Sequence, residues 1–569
     1  MVLLRIIGAQ RLMVVNNLIK PLIRKNNIRN YSSAIIKSSY DDIVVPDMTL
    51  SQYVWSRSSE FEDLPAMTCG VSERSYTYGI AKMLYKKSAM ALLERVKLKP
   101  GETVGVLLPN IPEYLLVVHG CLEAGLIITF ANPLYTAEEL GRQFQNANVK
   151  CIITIPQLLD TSLIIAKTLP NYTSTINVGG TTEANKNVLG IQELLSEDYS
   201  VELPVVKSTD IAVIPYSSGT TGLPKGVMLT HQNLVANLVQ LESQEIANGV
   251  NIEDYKKETV LSVLPFFHIM GFNSILNFVT SVGGHIVSIP RFTPEDYIKC
   301  LEKFKPTSIF VVPSLILFLI THPEIKPEHL ASVKRLVCGA APATKTLIEK
   351  FIQKFVYTNC IIEQGYGMTE SSPVALYCPR QTPLSKIGSC GKLLPSTEVC
   401  LIDTKSGKNI KNPLVPGEIL IRGPQVMKGY LNDPKSTTEA VDPEGWLHTG
   451  DVGYYDDDGY FYIVDRTKEL IKVKGNQVSP TELENIILEL PGVSDVAVVG
   501  ISDTQAGELP RAFIVKKPDA NIDAKIVENY VTPKVAPYKK LTGGVHFIDN
   551  IPRNPSGKII RNELRNLQV

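Results

Sequence analysis

The stretch YSSGTTGLPKGVMLTH, residues 216–231, follows directly on the apolar run of residues 211–214. It holds two serines, three threonines, three glycines and one lysine, Lys225. Glycines and hydroxyl residues after a buried strand leave many N–H and O–H donors free, and such a concavity binds phosphate oxygens. The stretch therefore predicts a strand that ends in a phosphate-binding loop, with an ordinary surface turn as the alternative.

This loop lacks the spacing of the phosphate loop found in kinases and GTPases. The GxxxxGK[ST] pattern needs a glycine before the lysine and a serine or threonine after it. Pro224 and Gly226 occupy those two positions. The sequence therefore argues against that class of nucleotide-binding protein.

Similar apolar runs recur on both sides of the loop. Residues 103–110 are typical of a strand, and residues 111–125 of a helix that opens with proline and closes with glycine. Valine- and isoleucine-rich runs separated by enough chain for a crossover helix indicate buried parallel strands. Such runs occupy residues 151–155, 285–289, 308–313 and 335–340. We therefore expect a large α/β domain with mostly parallel sheets.

The pattern changes towards the C-terminus. Residues 418–423, 451–466 and 470–480 read as strands and turns, with Asp458-Gly459 as a tight hairpin turn. A helix is predicted from Pro480, and a further strand over residues 495–501. The last hundred residues of the chain therefore predict a compact α+β unit.

Length and composition argue against several classes of protein. The 569 residues predict two or more domains, and a formal net charge of zero argues against nucleic-acid binding. The nine cysteines form no CxxC or CxxH pair, so neither a zinc site nor a disulfide framework is indicated. The longest apolar run, residues 309–320, is shorter than the roughly 20 residues of a membrane-spanning helix. A small-molecule protein of a reducing compartment is expected.

Residues 1–40 differ in composition from the rest of the chain. They carry seven basic residues and no acidic residue, with apolar residues between the charges. This composition is typical of a mitochondrial transit peptide, and RNYSSA (residues 29–34) resembles a matrix-protease site. We expect a mitochondrial matrix location with cleavage near Tyr31, and the C-terminal RNLQV lacks the SKL peroxisomal address. The alternatives are a basic amphipathic helix and a cytoplasmic or peroxisomal protein.

Four later segments carry residues suited to nucleotide chemistry. EQGYGMTESSPV (residues 363–374) offers Thr369 and Glu370 for phosphate and Mg²⁺, and HTGDVGYY (residues 448–455) offers Asp451 for ribose hydroxyls. VDRTKELIKVKGNQVSP (residues 464–480) holds an Asp-Arg pair and a basic loop, and PRNPSGKIIR (residues 552–561) presents Lys558. Taken alone, each segment is better explained as a hairpin, a turn, a solvated charged surface or a frayed chain end.

Together, in order and spacing, the five segments resemble the adenylate-forming superfamily of acyl-CoA synthetases, adenylation domains and luciferases. The 4-coumarate:CoA ligase and luciferase-like branch is the most similar. The resemblance implies a ligase that first joins a carboxylic acid to the α-phosphate of ATP, releasing pyrophosphate, and then passes the acyl group to CoA. It implies ATP, Mg²⁺ and CoA as ligands, and a monomer or homodimer.

The resemblance also implies the domain organisation. A large N-terminal domain of several subdomains over residues 41–464 is followed by a hinge over 465–468. A small, mobile α+β domain over residues 469–569 completes the chain. The transit segment would cover residues 1–40.

The resemblance assigns roles to individual residues. The residues that it implies for catalysis are Lys558, His268, Thr220 and Glu370, and Thr220 and Glu370 would also bind the metal ion. ATP or AMP binding falls to Ser217, Ser218, Gly219, Thr220, Thr221, Lys225, Gln364, Gly365, Thr369, Asp451, Arg466, Lys468, Lys472, Gln477 and Lys558. CoA contacts fall to Arg291, Lys474 and Gly475, and the acyl pocket to His268, Met270, Ser274, Ala340, Gly365, Gly367, Pro373 and Val374.

The substrate is an aromatic or medium-chain aliphatic acid by the same resemblance. Met270 stands where hydroxycinnamate ligases commonly carry a tyrosine, which favours an apolar acid over a hydroxycinnamate. LPFFHIMGFNS (residues 264–274) has no aspartate to pair with a substrate amine, which argues against an amino acid. The alternative functions are a luciferase-like oxygenase, a domain that loads a separate carrier protein, and a non-catalytic binding protein that keeps the fold.

Overall fold

The computed structural model describes residues 34–217, 224–243, 252–341, 343–358, 360–379, 382–466, 469–473, 476–554 and 557–567. Within these ranges no helix is both long and apolar enough to cross a bilayer.

The strands of the described ranges are numbered along the chain. They are β1 (Ile36–Lys37), β2 (Pro65–Cys69), β3 (Ser75–Thr77), β4 (Thr103–Leu107), β5 (Ile127–Phe130), β6 (Val149–Thr154), β7 (Ser174–Asn177), β8 (Val188–Gly190), β9 (Ile211–Val213), β10 (Tyr216–Ser217), β11 (Lys225–Thr230), β12 (Thr259–Ser262), β13 (His285–Ser288), β14 (Ser308–Val311), β15 (Arg335–Cys338), β16 (Ile361–Gly367), β17 (Val374–Tyr377), β18 (Lys392–Leu393), β19 (Glu398–Ile402), β20 (Asn409–Ile410), β21 (Gly417–Arg422), β22 (Gly429–Tyr430), β23 (Leu447–Tyr455), β24 (Phe461–Arg466), β25 (Ile471–Val473), β26 (Asn476–Val478), β27 (Val493–Asp503), β28 (Gly507–Lys516) and β29 (Val545–Phe547).

The α-helices are numbered in the same way. They are α1 (Leu50–Val54), α2 (Tyr78–Glu94), α3 (Glu113–Glu123), α4 (Ala137–Asn146), α5 (Leu159–Ala166), α6 (Ile191–Ser196), α7 (His231–Glu242), α8 (Ile252–Tyr255), α9 (Phe278–Ser281), α10 (Pro294–Phe304), α11 (Pro313–Thr321), α12 (Lys345–Lys354), α13 (Pro434–Ala440), α14 (Pro480–Leu488), α15 (Ala524–Val531) and α16 (Arg561–Asn566). A π-helix, Met270–Asn277, runs directly into α9.

Two mostly parallel sheets form the body of the large domain. The first has the order β10-β11-β9-β5-β4-β6-β7-β8, with parallel pairing from β9 to β8. The second has the order β18-β17-β16-β15-β14-β12-β13-β2-β3, with parallel pairing from β16 to β2. The apolar runs of the sequence form β4, β6, β9, β13, β14 and β15, as predicted, and their near-continuous burial explains why they lack a polar face.

A third sheet of the large domain differs from the expected parallel pattern. Its path β1-β19-β21-β23-β24, with β20 beside β19, is antiparallel throughout. Gly459 closes the β23–β24 hairpin with φ of 78°, which confirms the predicted turn. Strand β1 lies inside the segment 1–40, and Ile36 pairs with Val399 of β19.

The small domain has the α+β composition that the sequence predicts. Its sheet has the order β26-β25-β28-β27, with β29 parallel to β28. Helix α14 packs on this sheet through Leu483 and Ile487, which belong to a core separate from that of the large domain. Ser479 caps α14 by accepting a hydrogen bond from the Glu482 backbone N–H, and Pro480 occupies the first helical position. The large and small domains confirm the predicted fold class.

Candidate active site

A cleft of about 660 Å³ lies between the large and the small domain. The large domain contributes the carboxyl-terminal part of β16, the middle of β23 and the end of β24, and the small domain contributes the loop before α16. This volume is in the range of small-molecule sites, about 300–1,000 Å³. Five residues assigned to nucleotide binding line the cleft: Gln364, Gly365, Asp451, Arg466 and Lys558.

Asp451 and Arg466 form the ion pair of the cleft. The two residues are direct partners in the β23–β24 ladder, and Arg466 Nε lies 2.9 Å from Asp451 Oδ1. The Tyr366 hydroxyl donates to Asp451 Oδ2 at 2.7 Å. Burial raises the pKa of Asp451, while Arg466 and Tyr366 act in the opposite direction. Each carboxylate oxygen keeps a lone pair, so the buried carboxylate can accept two further hydrogen bonds from a vicinal diol.

Lys558 reaches the cleft from the small domain. The Lys558 backbone N–H donates to Asn554 Oδ1 at 2.9 Å, which fixes the loop locally. Burial lowers the pKa of Lys558, and the like charge of Arg466 lowers it further, while Glu469 and Asp451 oppose the shift. A poorly solvated cation beside the ion pair is suited to compensate anionic groups that enter the cleft.

A second cluster marks the two ends of the glycine- and hydroxyl-rich loop. Glu370 Oε1 accepts a hydrogen bond from Ser217 Oγ at 3.0 Å and another from the Tyr430 hydroxyl at 2.9 Å. Lys225 Nζ lies 5.1 Å from the centre of the Tyr430 ring and donates to Ser436 Oγ at 2.6 Å. Three predicted residues therefore meet where the loop begins and ends.

The Glu370 carboxylate fits a magnesium ligand. Oε1 is occupied by two hydrogen bonds, while Oε2 accepts none from the described residues. Carboxylate oxygens are the protein ligands that Mg²⁺ prefers. Glu370 is only 8% exposed, so a cation beside it is shielded from bulk water.

A second cavity opens beside the cleft and shares with it the walls formed by Ala340, Gly365, Tyr366 and Gly367. All eight residues assigned to the acyl pocket line this cavity: His268, Met270, Ser274, Ala340, Gly365, Gly367, Pro373 and Val374. Burial lowers the pKa of His268 to about 4, so the imidazole is neutral at pH 7. The Met270 N–H donates to His268 Nδ1 at 3.4 Å, which leaves the ring proton on Nε2.

A close contact of the backbone requires glycine at position 367 of β16, and Gly365 is tightly packed against a side chain. A Cβ atom on Gly367 would lie 1.8 Å from the Pro373 carbonyl oxygen, and one on Gly365 would lie 3.3 Å from Tyr377 Cδ2. Side chains at these positions would displace β17 or fill the cavity mouth. The GYG sequence therefore has a steric reason.

Sequence comparisons agree with this geometry. The profile of the AMP-binding enzyme family matches residues 54–431, and that of the AMP-binding enzyme C-terminal domain matches residues 482–558. This chain belongs to the AMP-binding enzyme family. The resemblance to adenylate-forming acid–thiol ligases is thereby confirmed.

Individual relatives cover nearly the whole chain. 4-coumarate:CoA ligase 1 of Petunia hybrida is 39% identical over 542 residues, which cover 94% of this chain and 97% of the relative. 4-coumarate–CoA ligase 2 of Oryza sativa subsp. japonica is 37% identical over 545 residues, covering 93% and 94%. The crystal structure of ATP-bound MatB from Rhodopseudomonas palustris has a TM-score of 0.80 at 25% identity, with 91% of this chain and 98% of that chain covered.

Some predicted residues are not brought to the cleft. Lys472 is exposed on β25, and its backbone N–H donates to Glu508 Oε2 at 2.7 Å. Arg291 is exposed between β13 and α10. Thr369 is buried beside Glu370 without lining the cleft. The remaining assignments lie outside the described residues: Ser218, Gly219, Thr220, Thr221, Lys468, Lys474, Gly475 and the side chain of Gln477.

Sequence reasoning missed several residues of the site. The Tyr366 hydroxyl donates to Asp451, and the Tyr430 hydroxyl donates to Glu370. A tyrosine next to glycines in the sequence does not indicate which residue its hydroxyl contacts. Glu469 follows directly on the predicted hinge and binds Arg561 Nε at 2.6 Å. Arg335 lines the acyl cavity, and its only sequence signal is a charge at the start of a buried strand.

Proposed function

We propose that the protein is an ATP-dependent carboxylic acid:CoA ligase. In the first step a carboxylate oxygen attacks the α-phosphorus of ATP, and the bond to the leaving pyrophosphate breaks to give an acyl adenylate. In the second step the CoA sulfur attacks the acyl carbon, AMP leaves, and the thiol proton is released. The observation that carries the proposal is that Asp451, Arg466 and Lys558 meet in a cleft that shares a wall with the acyl cavity.

The first step needs charge compensation and positioning rather than covalent catalysis. The acid and the triphosphate are both anionic, so their approach is opposed by repulsion, which is strong in a site screened from water. Lys558 compensates this charge, while Asp451 accepts the ribose hydroxyls. The neutral His268 lines the acyl cavity and offers its Nε2–H to the carboxylate without adding a charge.

Mg²⁺ belongs to the proposal as the ion that neutralises triphosphate charge. Glu370 would hold it through Oε2, with Thr220 as a second ligand by the resemblance. Lys225, Ser217 and the loop between them would bind the β- and γ-phosphates.

The second step requires a path for CoA to the acyl adenylate. By the resemblance, rotation of the small domain about Lys468 withdraws Lys558 and presents Lys474 and Gly475, with Arg291 on the CoA phosphate. No residue of a second copy is needed to complete the cleft in the described parts of the chain, so a monomer and a homodimer both fit the proposal.

The proposed substrate is an aromatic or medium-chain aliphatic acid. The assigned wall of the cavity is mostly apolar, which supports burial of a hydrocarbon or aryl group. 4-coumarate:CoA ligases among the relatives support the same class.

A panel of carboxylic acids assayed for CoA-dependent AMP formation tests the function. At least one aromatic or medium-chain acid should give stoichiometric AMP, pyrophosphate and acyl-CoA. Light emission with a luciferin and oxygen in place of thioester formation would favour the oxygenase alternative. Absence of pyrophosphate release with every acid would overturn the proposal.

We also propose that residues 1–40 direct the chain into mitochondria. Their basic, acid-free composition supports this location. Cleavage near Tyr31 would leave β1 in the mature protein, so β1 could still pair with β19 in the third sheet. N-terminal sequencing of the protein from cells should find a start near Tyr31 in the mitochondrial fraction, and an intact Met1 in a cytosolic or peroxisomal fraction would contradict it.

A further inference from the structure

A third space, hereafter the posterior cavity, lies behind the wall of the cleft and has a volume of about 200 Å³. Its apolar lining consists largely of isoleucine and leucine: Ile348, Ile352, Ile361, Ile362, Leu384 and Ile387. Two of these side chains form an apolar rim at the surface, because Leu384 is 74% exposed and Ile361 is 41% exposed. An apolar cavity of about 150 Å³ is large enough to hold benzene, so the posterior cavity has room for a substituted ring.

Helix α12, strand β16 and the segment 387–390 separate the posterior cavity from the cleft. In α12, Leu347 lines the cleft, whereas Ile348 and Ile352, one helical turn apart, line the posterior cavity. The segment 387–390 presents alternate residues to the posterior cavity and to the cleft. In β16, Gln364 lines both spaces. A molecule in the posterior cavity would therefore lie against the back of the wall that faces the nucleotide.

The charges around the posterior cavity favour a neutral ligand. Among the described residues that line it, only Lys386 carries a charge. Lys386 Nζ lies 2.8 Å from Asp456 Oδ2 and 2.5 Å from Asp458 Oδ2, so its charge already has partners. An ionised ligand would lose its hydration here without gaining an ion pair, and this cost disfavours anions and cations alike.

Gln364 supplies an unused hydrogen-bonding group on the shared wall. The residue is only 9% exposed, and its backbone carbonyl accepts a hydrogen bond from the Cys378 N–H at 2.8 Å. Its side-chain amide donates to no residue in the described part of the chain, although a buried amide normally has a partner. The resemblance assigns Gln364 to the nucleotide. The same amide can therefore serve a nucleotide in the cleft or a ligand in the posterior cavity.

We infer that the posterior cavity is a second ligand site, which binds a small neutral molecule with an apolar body and one hydroxyl or carbonyl oxygen. The apolar walls enclose the body of the ligand, and the Gln364 amide donates to its oxygen. A ligand that engages this amide withdraws it from the nucleotide, so ATP and the ligand should each weaken the binding of the other. The ligand site stands without the proposed function, whereas this coupling rests on the proposed nucleotide site.

Titration of the full-length protein with 4-fluorobenzyl alcohol, followed by fluorine NMR, measures the binding directly. One saturable site is expected in the absence of nucleotide and acid. Alkylation by iodoacetamide locates that site, because Cys360 lines the posterior cavity while the other eight cysteines are buried. The probe should slow the alkylation of Cys360 in proportion to its occupancy, as measured by peptide mass spectrometry.

Ile352→Phe fills the posterior cavity from α12. The affinity for 4-fluorobenzyl alcohol should fall by roughly tenfold or more, because the larger side chain takes the space of the ring. Ile164→Phe is the matched control, since Ile164 is an exposed isoleucine of α5 that does not line the cavity, and it should leave the affinity unchanged. If Ile352→Phe does not fold, the protection of Cys360 in the wild-type protein still decides the question.

The coupling is measured through KM for ATP in acid-dependent ATP–pyrophosphate exchange. Saturating 4-fluorobenzyl alcohol should raise KM for ATP about two- to tenfold, the effect of one lost hydrogen bond, and should leave the Ile352→Phe variant unaffected. A probe that entered the acyl cavity instead would raise KM for the acid.

Three outcomes would overturn the inference while leaving the ligase proposal intact. They are the absence of saturable binding, binding that leaves the alkylation of Cys360 unchanged, and equal affinity in the wild-type and Ile352→Phe proteins. Binding at the expected site without a change in KM for ATP would overturn the coupling. Absence of ATP–pyrophosphate exchange with every acid would instead overturn the proposed function, and the binding result would stand.

Discussion

Burial shifts the pKa values of ionisable side chains in the cleft and in the acyl cavity. It lowers the pKa of Lys558, raises that of Asp451 and brings that of His268 to about 4. Each shift reflects the cost of a charge that water cannot solvate. We therefore expect Lys558 to set the alkaline limit of the first half-reaction and His268 to show no titration near neutral pH.

Lys558→Arg tests this assignment through a pH profile. The charged lysine is the active form, so acid-dependent ATP–pyrophosphate exchange should fall as pH rises through its depressed pKa. An arginine stays protonated far above that range, so its alkaline limb should move to higher pH even though the rate at neutral pH is reduced. Coincident alkaline limbs in the kcat/KM profiles of the two proteins would contradict the assignment.

Asp451→Asn tests the ribose site. The amide keeps the shape of the side chain but loses the charge that Arg466 pairs with and one acceptor oxygen. KM for ATP should rise about 10- to 100-fold, since hydrogen bonds to charged groups contribute about 1.5–3 kcal/mol. KM for the acid should change little. A larger effect on the acid than on ATP would place Asp451 elsewhere in the reaction.

Strand β16 serves both the cleft and the acyl cavity. Its residues Glu363, Gly365 and Gly367 run from the buried Arg335–Glu363 ion pair to the walls that the cleft and the cavity share. The missing side chains at Gly365 and Gly367 leave room for β17 and its Tyr377 ring. A single strand thus forms part of the wall between the cleft and the acyl cavity.

Gly367→Ala and Gly141→Ala form a matched pair that tests this requirement. At Gly367 a Cβ meets the Pro373 carbonyl oxygen at 1.8 Å, so stability should fall by about 1–3 kcal/mol. Gly141 lies in α4 with nothing within 4 Å of such a Cβ, so alanine there should add about 0.5–1 kcal/mol. The thermal unfolding midpoint should fall for the first variant and rise for the second. Equal midpoints would show that β17 adapts to the added methyl group.

Local patterns predicted β4, α3, β15 and the β23–β24 hairpin, because their apolar runs, proline and glycine signals are contained in a few residues. They could not predict β1, whose two residues form a strand only by pairing with β19, more than 350 residues away. The motifs predicted Asp451, Arg466 and Lys558. The Arg335–Glu363 pair depends on the register of β15 and β16, and no local signal specifies that register.

A network of the small domain holds Lys558 in the cleft. Arg561, three residues further along, donates to Glu469 Oε2 and to the Val498 carbonyl, each at 2.6 Å, and pairs with Glu484. Glu469 follows the predicted hinge, and Val498 lies in the central hairpin of the small domain. The Lys558 loop is therefore fixed to the body of the small domain, so any rotation of that domain moves Lys558 with it.

Lys558→Ala tests most directly whether Lys558 serves the first half-reaction and not the second. Acid-dependent ATP–pyrophosphate exchange should fall by roughly two to three orders of magnitude, because a compensating charge contributes about 3 to 4 kcal/mol to such a step. The same variant, given synthetic acyl adenylate and CoA, should form thioester at nearly the wild-type rate, since a thiol meets no comparable repulsion. A bulky residue at Gly475 should do the reverse. Equal loss of both activities in a folded Lys558→Ala protein would contradict the account.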